Sequence, residues 1–107
     1  MPLIARHRVT RTAAALPALG RACAAEAAGT FILAFFGCGS VMSAVITGAQ
    51  VGLWQVAVVW GFGITLAIYA TAAASGAHLN PAATLSVALR RRQTFPTARV
   101  LPYWAAQ

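Results

Sequence analysis

"SGAHLNPAATLSVAL", Ser75 to Leu89, sets a histidine, an asparagine and a proline inside a chain that is otherwise almost continuously apolar. Asn80 followed by Pro81 reads as a helix N-cap with proline at the first helical position, where its missing N–H costs nothing. The helix that follows, "PAATLSVAL", reaches the triple arginine Arg90 to Arg92 after roughly 14 Å of rise. That is about half of the ~30 Å hydrocarbon thickness, so this segment cannot cross a bilayer.

The bilayer enters through composition. Of 107 residues, 60% are hydrophobic and 8% charged, against about 25% charged in ordinary soluble domains. No Asp, Glu, Lys or Arg stands between Glu26 and Arg90. The fold class predicted is therefore an all-α membrane protein. Residues 1–21 read as a short tail, and 22–107 as a membrane domain with spans at about 23–46 and 54–74. A re-entrant loop and half helix follow at 75–89, then the start of a third span at 98–107. A soluble helical domain would need polar faces at helical spacing, and neither span has one. Gly29, Gly37, Gly39, Gly61 and Gly63 suit close helix packing in lipid.

All eight basic residues are arginines outside the apolar block, four before it and four after. Arginine flanking membrane segments marks the cytoplasmic side, so both ends of the chain are expected there, with "TGAQVGL" outside. Charge split in this way does not make the basic face that nucleic acid requires. Pro17 and Arg21 interrupt the apolar core a cleaved secretory signal would need. Cys23 and Cys38, on one helix, lie roughly 22 Å apart and cannot pair; both read as small buried hydrophobes.

Because the arginines after the half helix belong on the side where the second span ends, the segment has to dip in and return. Gly76, Ala77, His78 and Leu79 are expected to descend as extended chain. Irregular backbone at membrane depth is tolerated where it is buried in protein or lines a water-filled cavity, so the loop implies a polar conduit. The positive end of the half helix at Asn80 points into it. Asn80 can cap the helix with its oxygen while its NH₂ donates to a permeant.

"SGAHLNPA" resembles the first Asn-Pro-Ala box of the major intrinsic proteins, the aquaporins and glycerol facilitators. "AEAAGTFILAFFGCG" and "VVWGFGITLAIYATA" are similar to that family's first two helices at matching spacing. The resemblance implies an aquaporin-like helical bundle, of which this chain is the first repeat, and passive conduction of glycerol or water. It also implies a homotetramer for the full-length protein, in the bilayer, and the bacterial inner membrane as location. By position, Asn80, Pro81 and Ala82 match the box that donates to the permeant. Gly76, Ala77, His78 and Leu79 match the carbonyl ladder, Glu26 the acid that braces the loop, and Trp60 an aromatic wall of the filter in glycerol-conducting members. Members carry a second, inverted repeat with another box and a filter arginine. Neither is found here, and the chain reads as a truncated half that alone makes no closed pore.

Residue chemistry alone leaves alternatives at two of these positions. Glu26 could be hydrated at the interface, brace the loop or relay protons; Trp60 could simply pack. With one acid and two histidines, neither an enzyme site nor a zinc site can be assembled, and no cofactor is implied. The remaining rivals are a non-conducting fragment that binds other membrane subunits, and a piece of a secondary transporter, which should carry a charged coupling site that is not found.

Overall fold

In the computed structural model, residues 3–49 and 52–107 are described, with side chains from Ala18 onward in the first helix. The expected loop residues Gln50 and Val51 and the side chains of Arg6, Arg8 and Arg11 fall outside the described residues. The order is α1 (Leu3–Thr47), α2 (Leu53–Ser75), α3 (Pro81–Arg90), a 3-10 turn (Thr97–Arg99) and α4 (Val100–Ala106), with no strand among the described residues. The fold is all-α.

Two helical stretches, Ala18–Thr47 and Leu53–Ser75, are long and apolar enough to cross a membrane. Helix α1 begins well before the residue 23 expected, because "LIARHRVTRTAAALPALGRA" is rich in alanine, leucine and arginine, the strongest helix formers. The apolar part still starts only after Pro17.

Where α1 and α2 meet, glycine sets the spacing. A Cβ on Gly37 would overlap the indole of Trp60, and one on Gly63 would come within 2.8 Å of Phe36 Cβ. The two backbones therefore approach through knobs from one helix seated on bare glycine of the other, the packing that small residues permit in a bilayer. Helix α2 stops at Gly76, which takes a left-handed conformation (φ 90°) and returns its N–H to the Ala72 carbonyl at 2.9 Å. Glycine enters that region without a Cβ penalty, which is why the helix ends there.

The chain then doubles back. Leu79 and Thr71 both lie against Gly29 of α1, so four residues after leaving α2 the backbone is level with a turn well inside it. From there α3 runs outward again. Its Ala88 joins Ala22, Phe95 and Tyr103 in a small buried core, with Leu19, Cys23, Val87 and Val100 at its edge. Ala22 is one turn nearer the chain start than Glu26, so α3 begins beside the interior of α1 and ends towards the end from which it came. The loop and α3 thus fold back alongside the two long helices. Helix α3 has ten residues, Pro81–Arg90, about 15 Å of rise.

Two expectations need correction. The 76–79 loop is not extended: Ala77 (φ 51°) and Leu79 (φ 55°) join Gly76 in the left-handed region. Cys38 is exposed and Cys23 half-buried, rather than both being buried; both are free thiols. Cys38 lies in a groove with Phe35, Met42 and Val59, at the end of the α1–α2 pair that no other described element covers.

Candidate functional site

Glu26 is the centre of the site and is fully buried. Its two oxygens accept from the backbone N–H groups of His78 (2.9 Å) and Leu79 (2.7 Å), and Oε2 also accepts from Gln107 Nε2 at 2.7 Å. Non-glycine residues in the left-handed region cost about 1–3 kcal/mol each and persist where the surroundings over-determine them. Here the determinant is visible. The twists at Ala77 and Leu79 bring two successive N–H groups onto one carboxylate, and charge-assisted hydrogen bonds of this kind are about twice as strong as neutral ones.

The other donors of the loop are also taken internally: Gly76 N–H by Ala72, and Ala77 N–H by Ser75 Oγ at 3.0 Å. The acceptors are not. Among the described residues no donor reaches the carbonyls of Gly76, Ala77, His78 or Leu79, whereas Ser75 O accepts from Tyr103 Oη at 2.8 Å and Pro81 O from Trp104 Nε1 at 3.0 Å. Four consecutive peptide units thus have their N–H groups tied down and their oxygens free. That asymmetry makes the loop a strip of hydrogen-bond acceptors, suited to a ligand that brings its own O–H groups.

At the inner end of the strip, Asn80 caps α3 as expected, its Oδ1 accepting from Ala82 N–H at 2.8 Å with Pro81 behind it. The side chain is exposed and its NH₂ has no partner among the described residues. Ala82 and Pro81 are exposed beside it.

His78 faces inward rather than along the strip. Its ring lies 4.9 Å from Phe95 and 5.2 Å from Tyr103, centroid to centroid, and Nδ1 is 3.2 Å from Thr84 Oγ1. Thr84 already accepts from Gln107 at 2.9 Å, so its proton is free for His78 Nδ1, which makes the Nε2–H tautomer the consistent one. What His78 offers a ligand is therefore its carbonyl, with its ring serving to fix the loop.

Trp60 is not part of this cluster. It lies on α2 fifteen residues before Ser75, roughly 22 Å along the axis, with its ring on Gly37 and 37% of its surface exposed. The packing role is visible directly, and the rest of the ring is exposed.

Sequence reasoning missed Thr84, Tyr103, Trp104 and Gln107. All four lie in or beyond the half helix, and each bonds to the loop, to the cap region or to Glu26. Their spacing is a weak signal: a polar residue one turn into α3, then a tyrosine and a tryptophan in one short helix and the glutamine that follows it.

The family profile of the major intrinsic proteins matches residues 13–107. The chain belongs to the major intrinsic protein family. Among curated relatives in that family, the propanediol uptake facilitator of Citrobacter freundii is 49% identical over 85 residues, 79% of this chain and 31% of the relative. The glycerol uptake facilitators of Haemophilus influenzae and Escherichia coli K12 are 47% and 46% identical over the same length, covering 79% of this chain and about 30% of theirs. The chain spans about a third of the length of the major intrinsic proteins that it matches.

Proposed function

We propose that this chain forms one wall of a passive membrane channel for small neutral solutes, short polyols such as glycerol with water alongside. The observation that carries the reading is the free acceptor strip Gly76–Leu79 ending at the free Asn80 amide. A polyol moving along it exchanges hydration for hydrogen bonds in which its hydroxyls donate to successive carbonyls and accept once from Asn80. Apolar surface opposite the strip would suit the carbon backbone of a polyol, and the exposed face of Trp60 is assigned to that wall. The positive end of α3 at Asn80 opposes cations. Transport is downhill and uses no catalytic group. The names of the relatives, facilitators of glycerol and propanediol uptake, support the same solute class.

Because Asn80, Pro81 and Ala82 are exposed, the chain alone does not enclose the conduit. The opposite wall has to come from further protein, and the arginine distribution favours both ends of this chain on the cytoplasmic side of a bacterial inner membrane.

The test replaces the matching segment of the Escherichia coli glycerol uptake facilitator with residues 13–107 and follows glycerol-driven reswelling of proteoliposomes. The graft is expected to conduct, and Asn80→Asp to cut its flux at least tenfold, since a carboxylate keeps the cap but loses the donor. Undiminished flux in the Asp variant removes Asn80 from the conduction path.

A further inference from the structure

We propose that the loop carrying Arg90, Arg91 and Arg92 is a binding site for the headgroup of an anionic phospholipid. The first ground is charge. The chain has eight basic residues and one acidic one, and that acid, Glu26, is buried and engaged with His78, Leu79 and Gln107. No side-chain carboxylate is left for any arginine. Three adjacent exposed guanidinium groups repel one another unless an external anion sits among them.

The second ground is that the loop is built rather than loose. Arg91 closes α3 with its N–H on Val87 O (2.8 Å), and its own carbonyl accepts from Thr94 N–H (3.0 Å), Phe95 N–H (2.8 Å) and Thr94 Oγ1 (3.2 Å). Phe95 is buried against His78 and Tyr103. The turn is pinned at both ends, so the arginines are presented from a fixed backbone. Between them lies a concavity of about 570 Å³ lined by Leu89, Arg90, Arg91, Arg92, Gln93 and Thr94.

The third ground is what flanks it. Leu89 before the loop and Leu101 after it are exposed, and α4, which carries Leu101, packs on both α3 and α1, the latter long and apolar enough to cross a bilayer. A ligand with a phosphate at one end and acyl chains at the other matches that order: planar guanidinium forks for the phosphate oxygens, leucines for the chains. Polybasic segments beside membrane helices attract anionic lipid at about 1 kcal/mol per arginine, roughly fivefold in affinity each. A soluble phosphate would use the arginines and leave the leucines bare.

The chain in detergent, supplied with equal phosphatidylglycerol and phosphatidylcholine, is examined by native mass spectrometry for retained lipid. Phosphatidylglycerol is expected to be retained in clear excess, and the triple change Arg90→Gln, Arg91→Gln, Arg92→Gln to abolish that excess. The single change Arg92→Gln, at an exposed position outside α3, should reduce it roughly fivefold and covers a failure of the triple variant to fold. Equal retention of the two lipids by the unaltered chain overturns the proposal, as does an unchanged preference in Arg92→Gln. Displacement of the lipid by millimolar inorganic phosphate also overturns it and reassigns the loop to free phosphate. None of these readouts depends on conduction.

Discussion

The two ends of the α1–α2 pair are opposites. At the end holding Glu26, the described chain is closed on itself: Ala22, Glu26, Thr71, Leu79, Thr84, Ala88, Phe95 and Tyr103 are all buried, and the loop, half helix and α4 share one hydrogen-bond network. At the other end Val45, Ile46, Leu53 and Trp54 are 66–85% exposed, and the close approaches onto glycine are Trp60 on Gly37 and Phe36 on Gly63. The acceptor strip is therefore encoded and held within this stretch of chain, while the distal surfaces lie open. If that contrast is real, substitutions at the two ends should behave differently in the same protein.

The largest effect belongs to Glu26. Glu26→Ala strands the N–H groups of His78 and Leu79 without an acceptor and leaves the Gln107 amide only Thr84, and at about 1–3 kcal/mol per buried orphan the loss is about 2–6 kcal/mol. Glu26→Gln retains an acceptor oxygen but turns an NH₂ towards other donors, so it should fall between. Unfolding from mixed micelles with rising SDS, followed by far-UV circular dichroism, gives the order. An alanine variant as stable as the parent would mean that the loop holds its left-handed residues by some other means.

Next come the glycines, which separate the ends more sharply. Gly29→Ala pushes a methyl into Leu79 Cδ2 and Thr71, both fixed by the network, and overpacking of that kind costs about 1–3 kcal/mol. Gly37→Ala displaces the Trp60 indole instead, whose surroundings are open, so the ring can move at smaller cost; a shift in Trp60 emission with little change in stability is the expected signature. Equal losses at the two positions would erase the distinction between a braced end and an open one.

Much of this was readable in advance, and the residues say why. The half helix followed from local chemistry at Asn80 and Pro81, and the ends of α2 from glycine and hydrophobic run length, each of which acts within a few residues. Glu26 as a brace depended on resemblance, because an isolated acid in an apolar helix has no sequence partner; its partners are backbone amides 52 and 53 residues away. The left-handed Ala77 and Leu79 were misread as extended because neither residue type prefers that conformation. It is imposed by a long-range contact. Thr84, Tyr103, Trp104 and Gln107 were missed for the same reason: each matters through hydrogen bonding to a residue distant in sequence and carries no periodic signal.

Tyr103 tests that long-range network at modest cost. Tyr103→Phe keeps the ring stacked edge-on against Phe95 at 5.0 Å and beside His78, but removes the donor to Ser75 O. The expected loss is about 1 kcal/mol, the usual size for one buried hydrogen bond. Amide hydrogen exchange should then quicken at Gly76 and Ala77 before it does in the body of α2. Uniform acceleration along α2 would instead mark Tyr103 as a general packing residue with no particular hold on the loop.

The smallest effect is also the most discriminating for the open end. A Cβ on Gly39 or Gly61 meets nothing within 4 Å, so in this chain alone Gly39→Ala and Gly61→Ala should be neutral or stabilise by about 0.5–1 kcal/mol through helix propensity. In a helix with no neighbours, glycine at those positions has no packing reason to exist. If a neighbouring helix seats there in the glycerol-facilitator graft, the same alanines should lower its folded yield while leaving the isolated chain unharmed. A loss in both settings would show that the distal surfaces are already engaged within this chain, and a loss in neither would show that they face lipid.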